Sequence, residues 1–409
     1  MKKILLICFI SLSALIANAQ PNQDAASFNS YVTTADKNIE DAYQAKNYTK
    51  AIDLSNDWLN TYHKQSAAIQ KNYQGNTINI YYNLGCYTSL NGQKAEALNW
   101  LKKAFAAGFI DYSSIIADND LVSLHNEPEF KTIVQQIREK GDYLYVLKNS
   151  GPYHFEQNTA LPLFSYQSAS APELVNFKQK FNLDSVAGSG DEISKIKNLL
   201  FWAHNIVRHD GNSNNPPNKN AIDLIAVCKK DDRGVNCRMM ATILKDAYQA
   251  EGFKARLVTC MPKDTADFDC HVITVVWSKT LNKWIWMDPT FNAYVSDDKG
   301  NLLNIEEVRA RMINDQPWIL NEDANWNNKS KETKQAYFRY MSKNLYWLKC
   351  AVKSDWDLET KNDNKPPVEY IDLYPGSFTT IYQSKKTDKG AIEYASNNPD
   401  YFWQKPTAE

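Results

Sequence analysis

The chain has 409 residues, 12% of them aromatic with 11 Trp and 23 Tyr. That suffices for a sizeable core and, at ~100–200 residues per domain, for two or three domains. Its 46 basic and 47 acidic residues leave a net charge of −1, so no global field draws it to nucleic acid or to an anionic membrane, and no basic stripe carries interleaved aromatics.

Residues 1–19 read as an export signal: a positive start at Met1-Lys2-Lys3, an apolar run from Ile4 to Ile16, and Ala17-Asn18-Ala19 as a small-residue cleavage pattern. The run is too short to cross a bilayer, and no later segment approaches the ~20 apolar residues that a membrane span requires. The expectation is a protein exported to a bacterial periplasm or secreted. Cys8 lies inside the apolar run rather than after it, which argues against a lipid-modified N-terminus. Of the seven cysteines, six then remain in the mature chain. An oxidising compartment permits disulfides, and Cys260 with Cys270, flanking one turn, form a conceivable pair.

Residues 20–147 read as helical. The clearest piece runs from Tyr81 to Gly108, with Tyr81, Leu84, Gly85, Gly92, Ala97, Leu101 and Ala104 placing small residues where two antiparallel helices approach and large ones between them. These positions resemble the tetratricopeptide repeat, with Thr88 standing where that family usually has an aromatic. A looser hairpin spans Tyr43 to Trp58, and the interval from Ala51 to Ala97 exceeds the ~34 residues of tandem repeats. A further helix falls within 118–137, where Phe130, Ile133, Val134 and Ile137 recur at helical spacing. Such a helical module offers a surface to a protein partner.

The stretch from Lys148 to Pro162, with Gly151, Pro152 and Pro162, reads as a connector. The second domain is placed at 148–350. A helix over 191–209 ends in the polar breaker Asp210-Gly211-Asn212-Ser213-Asn214-Asn215-Pro216-Pro217. A second helix begins at Cys237, carries Met240, Ile243, Leu244, Ala247 and Tyr248 on one face, and stops near Gly252. Strands follow near 254–260, 271–277 and 283–288. Helices first, then antiparallel strands, predict an α+β arrangement. Residues 351–409 are read as a C-terminal extension without an assigned role, broken at Lys365-Pro366-Pro367, with a strand pair over 368–374 and 378–383.

Cys237 falls in the first turn of its helix, at the positive end of the helix dipole, where a thiol pKa is lowered and the thiolate is the reactive species. The free amides of that turn point where an oxyanion would form. Taken singly, a helical Cys is more often a small buried hydrophobe, His271 an incidental imidazole on a core strand, and Asp288 before Pro289 a turn former. Together they supply a nucleophile, a base and a group that fixes the base's tautomer. The turn Ser278-Lys279-Thr280-Leu281-Asn282-Lys283 between their strands allows His271 and Asp288 to lie side by side.

Residues from about 190 to 295 resemble the transglutaminase-like domain of the papain-related superfamily. The matching segments are Gly234-Val235-Asn236-Cys237, Gly252-Phe253-Lys254-Ala255-Arg256-Leu257-Val258, Cys270-His271-Val272 and Trp284-Ile285-Trp286-Met287-Asp288-Pro289-Thr290. The resemblance implies Cys237 as nucleophile, His271 as base and then acid, and Asp288 as the orienting carboxylate. Related enzymes add an upstream side chain to the oxyanion hole, for which Trp202 and His209 are the candidates. Arg238 either meets a substrate carboxylate or pairs with acids such as Asp231 or Asp232. With no HExxH, paired CxxC or EF-hand loop, no metal or other cofactor is expected, and Asp264, Asp267 and Asp269 read as a solvated turn. The expected activity is attack on an amide or peptide bond of a protein or peptide substrate through a thioester, with hydrolysis favoured over acyl transfer. The rival reading is a binding protein in which the helical repeats hold a partner and the transglutaminase-like domain is a scaffold.

Overall fold

The chain divides between Gly141 and Asp142 into two units. The computed structural model describes residues 23–154, 161–362, 364–378 and 384–407, so the export-signal reading falls outside the described residues. No described helix is long and apolar enough to cross a membrane.

The first unit is built from helices, the longer ones spanning Gln23–Gln44, Tyr48–His63, Gln74–Leu90, Lys94–Ala107 and Pro128–Gly141. Close contact of the third and fourth requires Gly85, where an added Cβ would lie 2.7 Å from Leu101 Cδ2. Thr88, at the position where an aromatic was expected, is buried and donates its hydroxyl to the Leu84 carbonyl at 2.5 Å, while neighbouring Tyr87 fills the core beside Tyr43. Trp58, Leu84, Leu101 and Ile115 are among the best-buried side chains of this core.

The second unit begins at Asp142, earlier than the boundary expected at 148, because the helix Tyr143–Lys148 buries Val146 and Leu147 within it. Its helices include α1 (Glu192–Ile206), α2 (Ala221–Lys230) and α3 (Cys237–Ala250). The main sheet comprises β1 (Ala255–Met261), β2 (His271–Ser278), β3 (Lys283–Met287), β4 (Trp347–Ala351), β5 (Glu369–Leu373), β6 (Ser384–Lys386) and β7 (Ile392–Ser396). Their spatial order is β6-β7-β5-β4-β1-β2-β3, antiparallel except for the β5–β7 pair. Residues after 351 therefore extend the sheet rather than forming a separate appendage. β5 pairs with β4 and β7; of the partner strand expected at 378–383, residues 379–383 lie outside the described residues.

Every residue of α3 from Met239 to Ala250 is buried. The helix lies between α1 and α2 on one side and β1 and β2 on the other. Its N-terminus is anchored in two ways. The Asn236 side chain accepts the Met239 amide at 3.2 Å, and Val235 forms a parallel bridge with His209, with hydrogen bonds of 2.8 and 3.0 Å. Alternation along β1 and β2 explains the cysteines. Cys260 pairs in register with His271 and faces the core, so Cys270, one residue back, points the other way. Both thiols are free, as are Cys86, Cys228, Cys237 and Cys350. Arg256 of the Gly-Phe-x-Ala-Arg segment is buried, its guanidinium 4.3 Å from the Trp284 ring centre and 4.5 Å from that of Phe164.

Gly234 is the tightest point beside α3: an added Cβ would sit 2.7 Å from Asp210 Cβ and 2.9 Å from the Arg208 carbonyl oxygen. Gly234→Ala must push the 208–210 segment away. Overpacking of this kind costs about 1–3 kcal/mol, and calorimetry should show the transition of the second unit falling by several degrees.

Candidate active site

Cys237 is the first residue of α3 and partly exposed; the Asn236 cap leaves its amide with no acceptor among the described residues. Its sulfur lies 4.0 Å from the Cys270 carbonyl oxygen. Burial alone would push the thiol up. Contacts from His209 and His271, the charge of His271 and the Val272 amide outweigh it and bring the thiol down to about 6.

His271 opens β2 and is buried, with Phe291 and Tyr340 against its ring at centroid distances of 5.7 and 5.3 Å. Its Nε2 lies 2.7 Å from Asp288 Oδ2, which leaves Nδ1 for the sulfur. Burial by itself would lower the imidazole; the Asp288 charge and hydrogen bond, with the contact and charge of Cys237, hold it up at about 10. The two shifts cross, so between about 6 and about 10 the pair rests as thiolate and imidazolium.

Asp288 follows β3 and is fully buried, its backbone bridged to Ala293. Its carboxylate accepts from three sides: His271, the Tyr337 hydroxyl at 2.8 Å and the Thr290 amide at 2.9 Å. Tyr337 in turn accepts from Trp286 Nε1 at 3.0 Å. This network fixes the carboxylate, and through it the imidazole plane. Tyr337 was not among the residues singled out in the sequence, since it lies 49 positions after Asp288 on a helix with no pattern linking the two.

The three remaining sequence candidates part ways. His209 is bridged to Val235, two residues before Cys237, and is the first of the groups that bring the thiol down. Trp202 turns instead into the helical layer, where its ring packs against Phe177 and Phe181 at 6.1 and 5.8 Å. Arg238 pairs with neither Asp231 nor Asp232. Its guanidinium reaches Glu359 at 2.7 Å and Thr259 Oγ1 at 2.6 Å, because position 238 faces β1 and the segment before β5; Asp232 pairs with Arg208. Asp267 and Asp269 are tied to Lys343 at 2.7 and 2.8 Å. Cys86, Asp118 and Asp120 in the first unit cluster within metal-ligating distance of one another, yet their carboxylates already accept from Tyr43 and Tyr82.

A partly exposed thiol at a helix start, brought down toward its thiolate beside a carboxylate-held imidazole, defines a cysteine-type enzyme in the broad sense. Residues 179–289, which contain all three of these side chains, match the family model of the transglutaminase-like superfamily and form a transglutaminase-like domain. Residues 36–143 match the family model of the A/B hydrolase-like N-terminal domain, and this region is helical. A solved structure described as a "putative cysteine protease" from Cytophaga hutchinsonii is 22% identical over 28% of this chain and 37% of its own, with a TM-score of 0.24. No curated protein matches the chain.

Alkylation by iodoacetamide should rise with pH through a midpoint near 6, since only the thiolate reacts. A midpoint near the ordinary thiol value would contradict the pairing with His271 and His209.

Proposed function

We propose that the protein is an amide-directed cysteine enzyme that hydrolyses a peptide or carboxamide bond of a protein or peptide substrate through a thioester on Cys237. The observation that carries this reading is the continuous chain from the Cys237 thiol through His271 to Asp288, with the thiol brought down to about 6 and the carboxylate held at 2.7 Å from the imidazole. The transglutaminase-like match over 179–289 supports it.

In this mechanism the Cys237 thiolate attacks the scissile carbonyl carbon. The carbonyl π electrons move to oxygen, and the resulting oxyanion is met by the Cys237 amide and by the imidazole of His209. His271, already an imidazolium, gives its Nδ1 proton to the departing amine as the tetrahedral intermediate collapses to the thioester. Neutral His271 then removes a proton from water, whose oxygen attacks the thioester carbonyl; collapse releases the acid and restores the thiolate and imidazolium. Asp288 keeps Nε2–H engaged throughout, so Nδ1 always faces the sulfur. Water is the acyl acceptor in this reading, and the chain works outside the cytoplasm, in keeping with its N-terminal segment. The first unit would present its helical surface to a protein partner.

Cys237→Ala should abolish turnover of a peptide-amide substrate. Asp288→Asn, which keeps the side-chain shape but loses the charge, should lower kcat roughly 10³–10⁴-fold. Steady-state kinetics with either variant near wild-type would contradict the assignment.

A further inference from the structure

The imidazole of His209 can serve an oxyanion only if it offers an N–H toward the sulfur, and the ring is held in a way that decides this. Trp326 Nε1 lies 3.1 Å from His209 Nδ1. An indole nitrogen can only donate, so Nδ1 must be the acceptor, and the ring proton is left on Nε2. The other ring nitrogen of His209 is therefore a donor.

Trp326 sits on a small hairpin, Asn325–Trp326 paired with Ser330–Lys331. Asn327 and Asn328 both have positive φ, 53° and 55°, and the Lys329 amide donates to the Trp326 carbonyl at 2.9 Å, a tight turn of the type that asparagine favours. That turn clasps the end of the segment bearing His209. Asn327 accepts the His209 amide at 2.7 Å and donates to the His209 carbonyl at 2.9 Å, and Asn328 donates to Asn205 at 2.7 Å. Asn325 Oδ1 is 3.0 Å from His204 Nε2, whose Nδ1 lies 2.9 Å from the carbonyl of Pro289, next to Asp288. Backbone and ring of His209 are thus both fixed from one hairpin, and the same hairpin is tied to the turn that carries Asp288. A purely structural clasp would need the Asn327 contacts alone; the indole adds a bond that acts only on the imidazole's tautomer.

We propose that Trp326 is a positioning residue for the reaction: it holds His209 as an Nε2–H donor aimed at the oxyanion that forms beside Cys237. This deepens the reading under Proposed function and rests on it. Beside the Cys237 amide, the pair adds an imidazole donor whose tautomer is set from the hairpin.

The test combines two readouts on the full chain. In ¹⁵N-histidine-labelled protein, with the His209 signals assigned through His209→Gln, wild type should show a protonated Nε2 and an unprotonated Nδ1, and Trp326→Phe, which keeps an aromatic ring but lacks the N–H, should show mixed tautomers. The second readout is the acylation burst with p-nitrophenyl acetate. Trp326→Phe should slow acylation roughly tenfold, a fraction of the 10²–10³ lost when a whole oxyanion donor is removed. His209→Gln, which retains a donor, should keep more activity than His209→Ala, and neither background should be slowed further by Trp326→Phe. A proton on Nδ1 in the wild type, or an equal slowing by Trp326→Phe in the His209→Ala background, would overturn the proposal. A wild type that fails to acylate at all would instead refute the enzyme reading, while the tautomer measurement still decides what Trp326 does to His209.

Discussion

A charged sulfur in a largely buried place is unstable unless something nearby compensates it, and the second unit is organised around that constraint. Burial alone would drive the Cys237 thiol upward. Four compensations converge on it: the start of α3, the charge on His271, the Val272 amide and the ring of His209. Three of the four come from other stretches of chain. The sheet supplies two, the segment after α1 supplies one, and the helix itself supplies the field.

The same constraint extends outward from the sulfur. His271 is buried too, and holds its proton only because the Asp288 carboxylate stands 2.7 Å away. Asp288 is buried in turn and is met by Tyr337 and the Thr290 amide. Each polar group is stabilised by the next, until the network ends on neutral partners such as the indole of Trp286. Removing one member leaves its neighbour buried and unpaired, which costs about 1–3 kcal/mol or more. Fold stability and reactivity are therefore coupled at this point.

How much of this could be read in the sequence depends on the kind of residue. Cys237, His271 and Asp288 each stand at an element boundary that composition marks: a helix start after Gly234, a strand start after a polar loop, and a strand end before Pro289. Periodicity located α3, β1, β2 and β3 to within a residue or two. The supporting partners left no such mark. Tyr337, Trp326 and Glu359 lie 49, 117 and 121 positions from the side chains they serve, on a helix, a hairpin and a turn whose places are set by tertiary packing. Trp202 misled for the opposite reason: an aromatic near a helix end fits both a site and a core, and here Phe177 and Phe181 take it into the core. Of the residues after 351, the strand expected over 368–374 is β5, whereas β6 and β7 left no clean period because they are short and mostly exposed or half-buried.

The central claim is that Cys237 forms a covalent acyl intermediate. Acid-quenched mass spectrometry after reaction with an activated ester such as p-nitrophenyl acetate tests it most directly. The account predicts one acyl group per chain, located on the peptide that begins α3 and absent from Cys237→Ala. An acyl group on another residue, or the same labelling in Cys237→Ala, would contradict it.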